Sequence, residues 1–267
     1  MKKEFWWGRD RDFKTLDSRF ENKISKFISS LNNKISILEI GFGEGKALLE
    51  VIQNFRDKHL KCYGINLKPE CGVKKRIDLL KNAKKFKISI ERSKIPIIYF
   101  YDTGEGLKFR DNSFDIIMSQ VAFPYVPDKA KLIEEIWRVL KPNGKVFIHI
   151  DNARNFDSFP DFLKQNEETP RFIIYDNKKI IKLSEIIKEL QRKGFDISLW
   201  FDKNKPAQRH LIITKNKNVP LKLNLKLDNV STFDLTIHSI DSDFNRVDKY
   251  KNGENGWWGT RSFFYLK

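Results

Sequence analysis

Glu39, Gly41, Gly43 and Gly45 lie in the stretch LEIGFGEGKALLEV, residues 38–51, where an apolar run gives way to a glycine turn and then to a helical pattern. Alternate glycines let the backbone bend sharply and approach a ligand closely. A helix opening just after such a turn presents free N–H groups. The spacing is GxGxG. Lys46 stands where a dinucleotide-binding GxGxxG turn carries its third glycine, and GK followed by Ala47 does not make a phosphate-binding P-loop. An ordinary tight strand-to-helix connection also uses glycines, so the turn alone does not specify a ligand. Glu39 adds chemistry. A carboxylate at the carboxyl end of a strand, where open α/β sheets bind ligands, repels phosphate and suits a ligand with an amino group.

Other reactive side chains follow. His149 and Asp151, in IHID, close a later apolar run and are candidate bases by position; the alternative is that one faces the core or caps a loop. Tyr125, in AFPYVPD, is a candidate acceptor-facing group, with aromatic packing as the alternative. Cys62 and Cys71 lack CxxC spacing, and His59, His149, His210 and His238 are scattered, so neither a metal site nor a disulfide framework is expected.

These residues need elements to hold them. Phe13, Leu16, Phe20, Ile24, Phe27, Ile28 and Leu31 recur at steps of three and four, which predicts one amphipathic helix ahead of the strand ISILEI. Beyond it KCYGIN, IPIIYFYD, SFDIIMSQ and KVFIHID read as strands. The helical patterns CGVKKRIDLLKNAKKF and DKAKLIEEIWRVLKPNG lie between them. Apolar runs without alternation are strands covered on both faces, and intervening helices make the sheet mainly parallel. Residues after His149 form a polar, proline-punctuated connection of the kind that serves as a lid. KLSEIIKELQRKGF is a helix closed by Gly194, and DISLWF with RHLIITK form an antiparallel pair that completes the sheet. Past about Asn216 the alternating LKLNLKLDNVSTFDLTIHSI predicts a small β-rich appendage. The organisation expected is a helical cap over 1–34, a main domain over 35–215 and the appendage over 216–267.

A chain of 267 residues, 40% of them hydrophobic, buries a full core. Its 51 Lys and Arg against 35 Asp and Glu give a formal +16, which points to an anionic partner such as nucleic acid, phosphate or a membrane surface; a lysine-rich solvated surface accounts for the same numbers. No segment reaches the length of a membrane span and no leader is evident, so a cytoplasmic protein is expected.

ILEIGFGEG resembles motif I of the class I S-adenosylmethionine-dependent methyltransferases. The stretch YDTGEGLKFRDNSFDIIMSQVAFPYVPDKAKLIEEIWRVLKPNGKVFI is similar to the same family's pattern: an acidic residue after the third strand, L-P-F-x-D-x-S-F-D, and a helix ending L-K-P-G-G. The likeness runs over residues 35–148 and is strongest to the subgroup holding quinone-biosynthesis C-methyltransferases and small-molecule methyltransferases. It implies a Rossmann-like, seven-stranded, mostly parallel sheet with helices on both faces, and S-adenosylmethionine as cofactor with S-adenosylhomocysteine as product. By the resemblance, Glu39 reaches the methionine amino group. The backbone at Gly41, Gly43 and Gly45 approaches the methionine and ribose, Asp102 and Thr103 lie against the adenine, and Ser119 and Gln120 flank the sulfonium. Asn66, followed by Leu67, stands where the family's second strand ends in an acidic residue that binds the ribose hydroxyls. An amide there donates and accepts but carries no charge. AFPY lacks the Asp or Asn and the first proline of the NPPY-type motif, which speaks against adenine N6 methylation of DNA.

The function expected is methyl transfer to a small or medium-sized metabolite by in-line displacement. Two other readings stand beside it: an RNA or protein methyltransferase using the basic stretch from Lys74 to Lys87, and a degenerate methyltransferase fold serving as a binding or scaffold module. The echoing pairs Trp6–Trp7 and Trp257–Trp258 are read as anchors of the two termini. The N-terminal helix and the appendage are expected to roof the acceptor pocket together.

Overall fold

The computed structural model describes residues 12–32, 34–66, 73–100, 106–120, 122–123, 129–149, 173–176, 179–202, 205–223, 231–234 and 262–265. Seven strands form the central sheet: β1 (Ile35–Ile40), β2 (Leu60–Asn66), β3 (Ile97–Phe100), β4 (Phe114–Gln120), β5 (Leu140–His149), β8 (Asp196–Asp202) and β9 (Lys205–Thr214), in the order β3-β2-β1-β4-β5-β9-β8. The first five run parallel, and β9 is antiparallel to both neighbours. This is the expected mostly parallel sheet closed by an antiparallel pair. The order reverses between β1 and β4, and the crevice beyond their carboxyl ends is where such sheets take ligands.

The apolar residues of each strand divide between two cores, as a period of two requires. Ile35 and Ile37 of β1, Ile116 and Met118 of β4 and Phe147 of β5 face α1 (Phe13–Arg19), α2 (Lys23–Ser30), α3 (Lys46–Asn54) and the Leu79 side of α4 (Asp78–Lys85). Leu38, Ile40, Ile117, Val146 and Ile148 face α5 (Lys129–Val139) and α6 (Leu183–Arg192). Trp137 of α5 and Leu190 of α6 are both within this second core.

The single helix expected before β1 is two. Glu21 and Asn22 take left-handed φ values of 52° and 59°, and the buried Asp17 carboxylate accepts the N–H groups of Ile24 and Ser25 at 3.0 and 3.1 Å. Asp17 thus caps α2 from within α1, satisfying backbone donors that a break would otherwise leave bare. Phe20 and Ile24 stay buried across the break, so the apolar period survives it. The helix α4 is shorter than its sequence pattern: the N–H groups of Lys74 and Lys75 donate to Asp78, which fixes a turn before the helix begins. Helix α6 ends as expected at Gly194, with φ 78°, and the Phe195 N–H donates to the Leu190 carbonyl.

Two short antiparallel ribbons lie outside the main sheet, β6 (Ile173–Asp176) with β7 (Lys179–Lys182) and β10 (Ser231–Asp234) with β11 (Ser262–Tyr265). The first lies in a region with no strand expected, and the second within the stretch expected to be β-rich. Residues 217–223 cross α5, where Trp137 Nε1 donates to the Val219 carbonyl at 2.7 Å and the Leu223 N–H donates to Glu134 at 2.7 Å. Among the described residues no helix is long and apolar enough to cross a membrane.

Candidate functional site

The site is built where β1 ends. Gly41, Gly43 and Gly45 all take left-handed φ, at 76°, 55° and 81°, a conformation that costs side-chain-bearing residues energy. The N–H groups of Gly41 and Phe42 donate to the Ile65 carbonyl at 2.8 and 3.4 Å, and Gly45 N–H donates to the Phe42 carbonyl at 2.8 Å before α3 begins. Close approach decides two further positions. A Cβ on Gly41 would stand 2.1 Å from the Cβ of Ala122, so the glycine turn touches the segment that follows β4. A Cβ on Gly64, in the middle of β2, would stand 2.6 Å from the ring of Phe42, which seats the turn on the sheet.

Glu39 is 1% exposed on the α1–α3 side of β1. Beside it the Cys62 thiol is pushed up to about 12, chiefly by burial and then by the Glu39 charge. A carboxylate enclosed this far from solvent favours a ligand that brings a positive charge or hydrogen-bond donors. The glycine turn next to it offers backbone and no side chains at the point of approach. Charge and shape together fit the amino-acid end of S-adenosylmethionine.

The polar residues at the ends of β4 and β5 point in different directions. Ser119 faces the α5 side, and its Oγ donates to the Ile40 carbonyl at 2.8 Å, tying β4 to the end of β1. Gln120 faces the same side as Glu39, directly opposite His149 on β5, which is in turn opposite His210 on β9. All three are fully buried. The two imidazole rings lie 5.1 Å apart, and Phe20 at the end of α1 covers His210 at 4.8 Å. Glu39, Gln120, His149 and His210 therefore share one face of the sheet, the first three of them at the carboxyl ends of β1, β4 and β5. His210 was not among the sequence candidates. Its signal was its place in RHLIITK, and only the antiparallel register puts it against His149.

Asn66 ends β2, half-exposed and level with Phe100 of β3. Leu67, Asp102, Thr103, Tyr125 and Asp151 lie outside the described residues, as do Glu70 and the tryptophan pairs Trp6–Trp7 and Trp257–Trp258. Among the described residues no group of three or more His, Cys, Asp or Glu is placed to hold a metal ion.

Lys46, at the third-glycine position of a dinucleotide turn, points to the N-terminal helix. Its Nζ lies 3.7 Å from both Asp12 and Glu50, and the Phe13 N–H donates to Glu50 at 2.6 Å. Burial raises the Glu50 carboxyl. Burial pushes the Asp12 carboxyl up as well, but the Thr15 hydrogen bonds and Lys46 outweigh it and leave that group below its ordinary value. The residue that breaks the dinucleotide pattern thus fastens α1 to α3.

The stretch LKFRDNSFD lies at the opposite end of the strands, where β4 begins. Asp115 accepts from the Ser36 N–H and from Lys141 Nζ, both at 2.7 Å, joining β1, β4 and β5. Glu135 accepts the Leu107 N–H at 2.8 Å and pairs with Arg138, whose guanidinium also donates to the carbonyls of Leu107 and Phe109 and to Asp111. These bonds fasten the segment before β4 to α5 and the starts of β1, β4 and β5 to one another.

Fold and site together define a Rossmann-like α/β protein with a glycine turn and a buried carboxylate at the switch point of its sheet. Residues 38–148 match the family model described as a methyltransferase domain, so the likeness read from the sequence holds over that segment. The chain is 32% identical over 150 residues to a ubiquinone/menaquinone biosynthesis C-methyltransferase of Rickettsia felis, covering 56% of each protein. It is 28% identical over 149 residues to norajmaline N-methyltransferase of Rauvolfia serpentina, covering 53% of this chain and 44% of that one. The chain thus spans about half the length of the curated relatives it matches. Among solved structures, phosphoethanolamine N-methyltransferase 2 of Haemonchus contortus, in complex with S-adenosyl-L-methionine, aligns with a TM-score of 0.50 at 17% identity. That alignment covers 79% of this chain and 55% of that one. A putative S-adenosyl-L-methionine-dependent methyltransferase of Methanococcus maripaludis aligns with a TM-score of 0.50 at 15% identity, over 78% and 89%. At these identities the structural likeness concerns the fold.

Proposed function

We propose that the chain is an S-adenosylmethionine-dependent methyltransferase acting on a small or medium-sized metabolite. The observation that carries this reading is the buried Glu39 beside a turn of three left-handed glycines at the switch point of the sheet. Glu39 receives the methionine ammonium, and the Gly41–Gly45 backbone lies along the methionine and ribose. Asn66 takes the ribose hydroxyls as an uncharged partner, with Leu67, Asp102 and Thr103 completing the nucleoside side. Gln120 flanks the sulfonium in this reading; Ser119 acts one step back, through its bond to the Ile40 carbonyl.

The cofactor supplies an activated methyl group when bound, so the protein's share is alignment of the acceptor in line with it. His149 is the proposed base whose placement is described, at the carboxyl end of β5 beside Gln120. Asp151 and Tyr125 remain proposed on sequence grounds. Proton removal by a positioned base adds roughly 10²–10⁴-fold where the acceptor is a hydroxyl or an acidic carbon.

Calorimetric titration with S-adenosylmethionine, S-adenosylhomocysteine and NAD tests the reading. Saturable binding of the first two and none of the third is expected, lost when Gly43 is replaced by a bulky residue. Absence of binding to either methionine nucleoside would overturn it.

A further inference from the structure

Residues 74–94 carry nine Lys and Arg against two acidic residues, where the whole chain carries 51 against 35, so the positive charge is concentrated there beyond a general lysine bias. They form the turn before α4, α4 itself, the short 3₁₀ turn Arg92–Lys94 and the irregular stretch between the two. Lys81, Lys85 and Lys94 are ion-paired with Asp78, Glu44 and Glu91, and Arg76 donates to the carbonyls of Ile95 and Pro96. Lys74, Lys75, Lys84, Lys87 and Arg92 are exposed and make no ion pair within 4.0 Å among the described residues.

This face also exposes one large aliphatic side chain. Ile77 is 43% exposed. It precedes α4 with helical φ and ψ, and Lys81 and Lys84 follow it at steps of four and three, so all three look outward while Leu79 and Ala83 are buried. An aliphatic side chain with lysines before and after it offers no π-face on which a base could stack. It is suited to the boundary between lipid headgroups and acyl chains, with the lysine stems lying along apolar surface and their ammonium groups at the phosphates. Surfaces that read RNA place Arg forks and exposed aromatics. Here four of these five cations are lysines, and the one large exposed hydrophobic side chain described within residues 74–94, Ile77, is aliphatic.

We propose that residues 74–94 are a docking surface for an anionic lipid bilayer, with Ile77 as its apolar contact. Asn82 Nδ2 donates to the Glu44 carbonyl at 2.9 Å and Lys85 reaches the Glu44 carboxylate, so a docked bilayer lies beside the glycine turn. The proposal rests on the charge and composition of this face and not on the methyl-transfer reading.

Co-sedimentation of the full chain with phosphatidylcholine vesicles, with and without phosphatidylglycerol, tests it, alongside titration of a single-stranded RNA. Binding to the anionic vesicles alone is expected. Each basic residue near an anionic surface contributes about fivefold in affinity, so the quadruple variant K74E/K75E/K84E/K87E loses several hundred-fold. The variant K14E/K26E/K34E/K188E changes the net charge equally at exposed lysines elsewhere and retains most of the binding; thermal melts establish that both are folded. Ile77→Ser weakens the binding that persists at high salt, where screening has removed the electrostatic part. Equal loss in the two quadruple variants overturns the proposal, as does absence of vesicle binding or equal binding to neutral vesicles. RNA binding tighter than vesicle binding reassigns the face to nucleic acid.

Discussion

Replacing Gly41 by alanine tests the seat of the whole site. At φ 76° the alanine sits in the left-handed region, which costs about 1–2 kcal/mol for a residue with a Cβ. The new Cβ also falls 2.1 Å from the Ala122 Cβ and 3.5 Å from its Cα. Relieving that overlap moves backbone on one side or the other, an overpacking cost of about 1–3 kcal/mol. Gly41→Ala is therefore expected to lose about 2–5 kcal/mol in urea denaturation, a Tm drop of roughly 5–15 °C for a chain of this size. The double variant Gly41→Ala/Ala122→Gly removes the overlap and leaves the backbone strain. It should recover about 1–3 kcal/mol relative to the sum of the single changes. Titration with S-adenosylmethionine on the same proteins reads whether the turn has moved: affinity falls in Gly41→Ala and partly returns in the double variant. Strictly additive costs would refute the contact between the glycine turn and the segment after β4, and with it the placement of the site between them.

The Glu135 carboxyl is raised by burial, but the Arg138 guanidinium and the Leu107 N–H outweigh that and hold it below its ordinary 4.5. A carboxyl so depressed contributes stability that is present above pH 4.5 and lost as the pH falls through its lower folded value. Glu135→Gln should be less stable at neutral pH and show a shallower decline on acidification; an unchanged acid slope counts against the network. In a Cys71→Ser background, Cys62 should resist iodoacetamide in the native state at pH 8 and react once unfolded, because its thiol is pushed up to about 12. Rapid native labelling seen by mass spectrometry would contradict the burial of β2. Cutting the chain after Asn216 removes the partners of Trp137 and Glu134 and the buried Leu221, whereas cutting after Leu223 keeps them. The shorter chain should be less stable by about 2–5 kcal/mol in denaturant titration; equal stability would mean that residues 217–223 contribute no packing.

The parallel sheet, its antiparallel finish, the glycine turn and the helix stop at Gly194 were legible in the sequence because each rests on local chemistry. Apolar runs without alternation mark strands covered on both faces, and glycines mark left-handed backbone. The break between α1 and α2 was not legible, since Phe20 and Ile24 keep the apolar period while Asp17, seven residues before Ile24, caps the second helix. Lys46 showed what the turn was not. Its actual work, holding Asp12 and Glu50, depends on how α1 comes to lie on α3.

The sequence by itself determined that a left-handed glycine turn follows Glu39 at the end of β1, because residue type and spacing along one chain segment suffice for that. Tertiary structure alone decided that Gly41 abuts Ala122, that Gly64 makes room for Phe42, and that His149 and His210 stand side by side. Those contacts join residues distant along the chain, and their geometry is set by strand register and helix packing, quantities that only the assembled sheet defines.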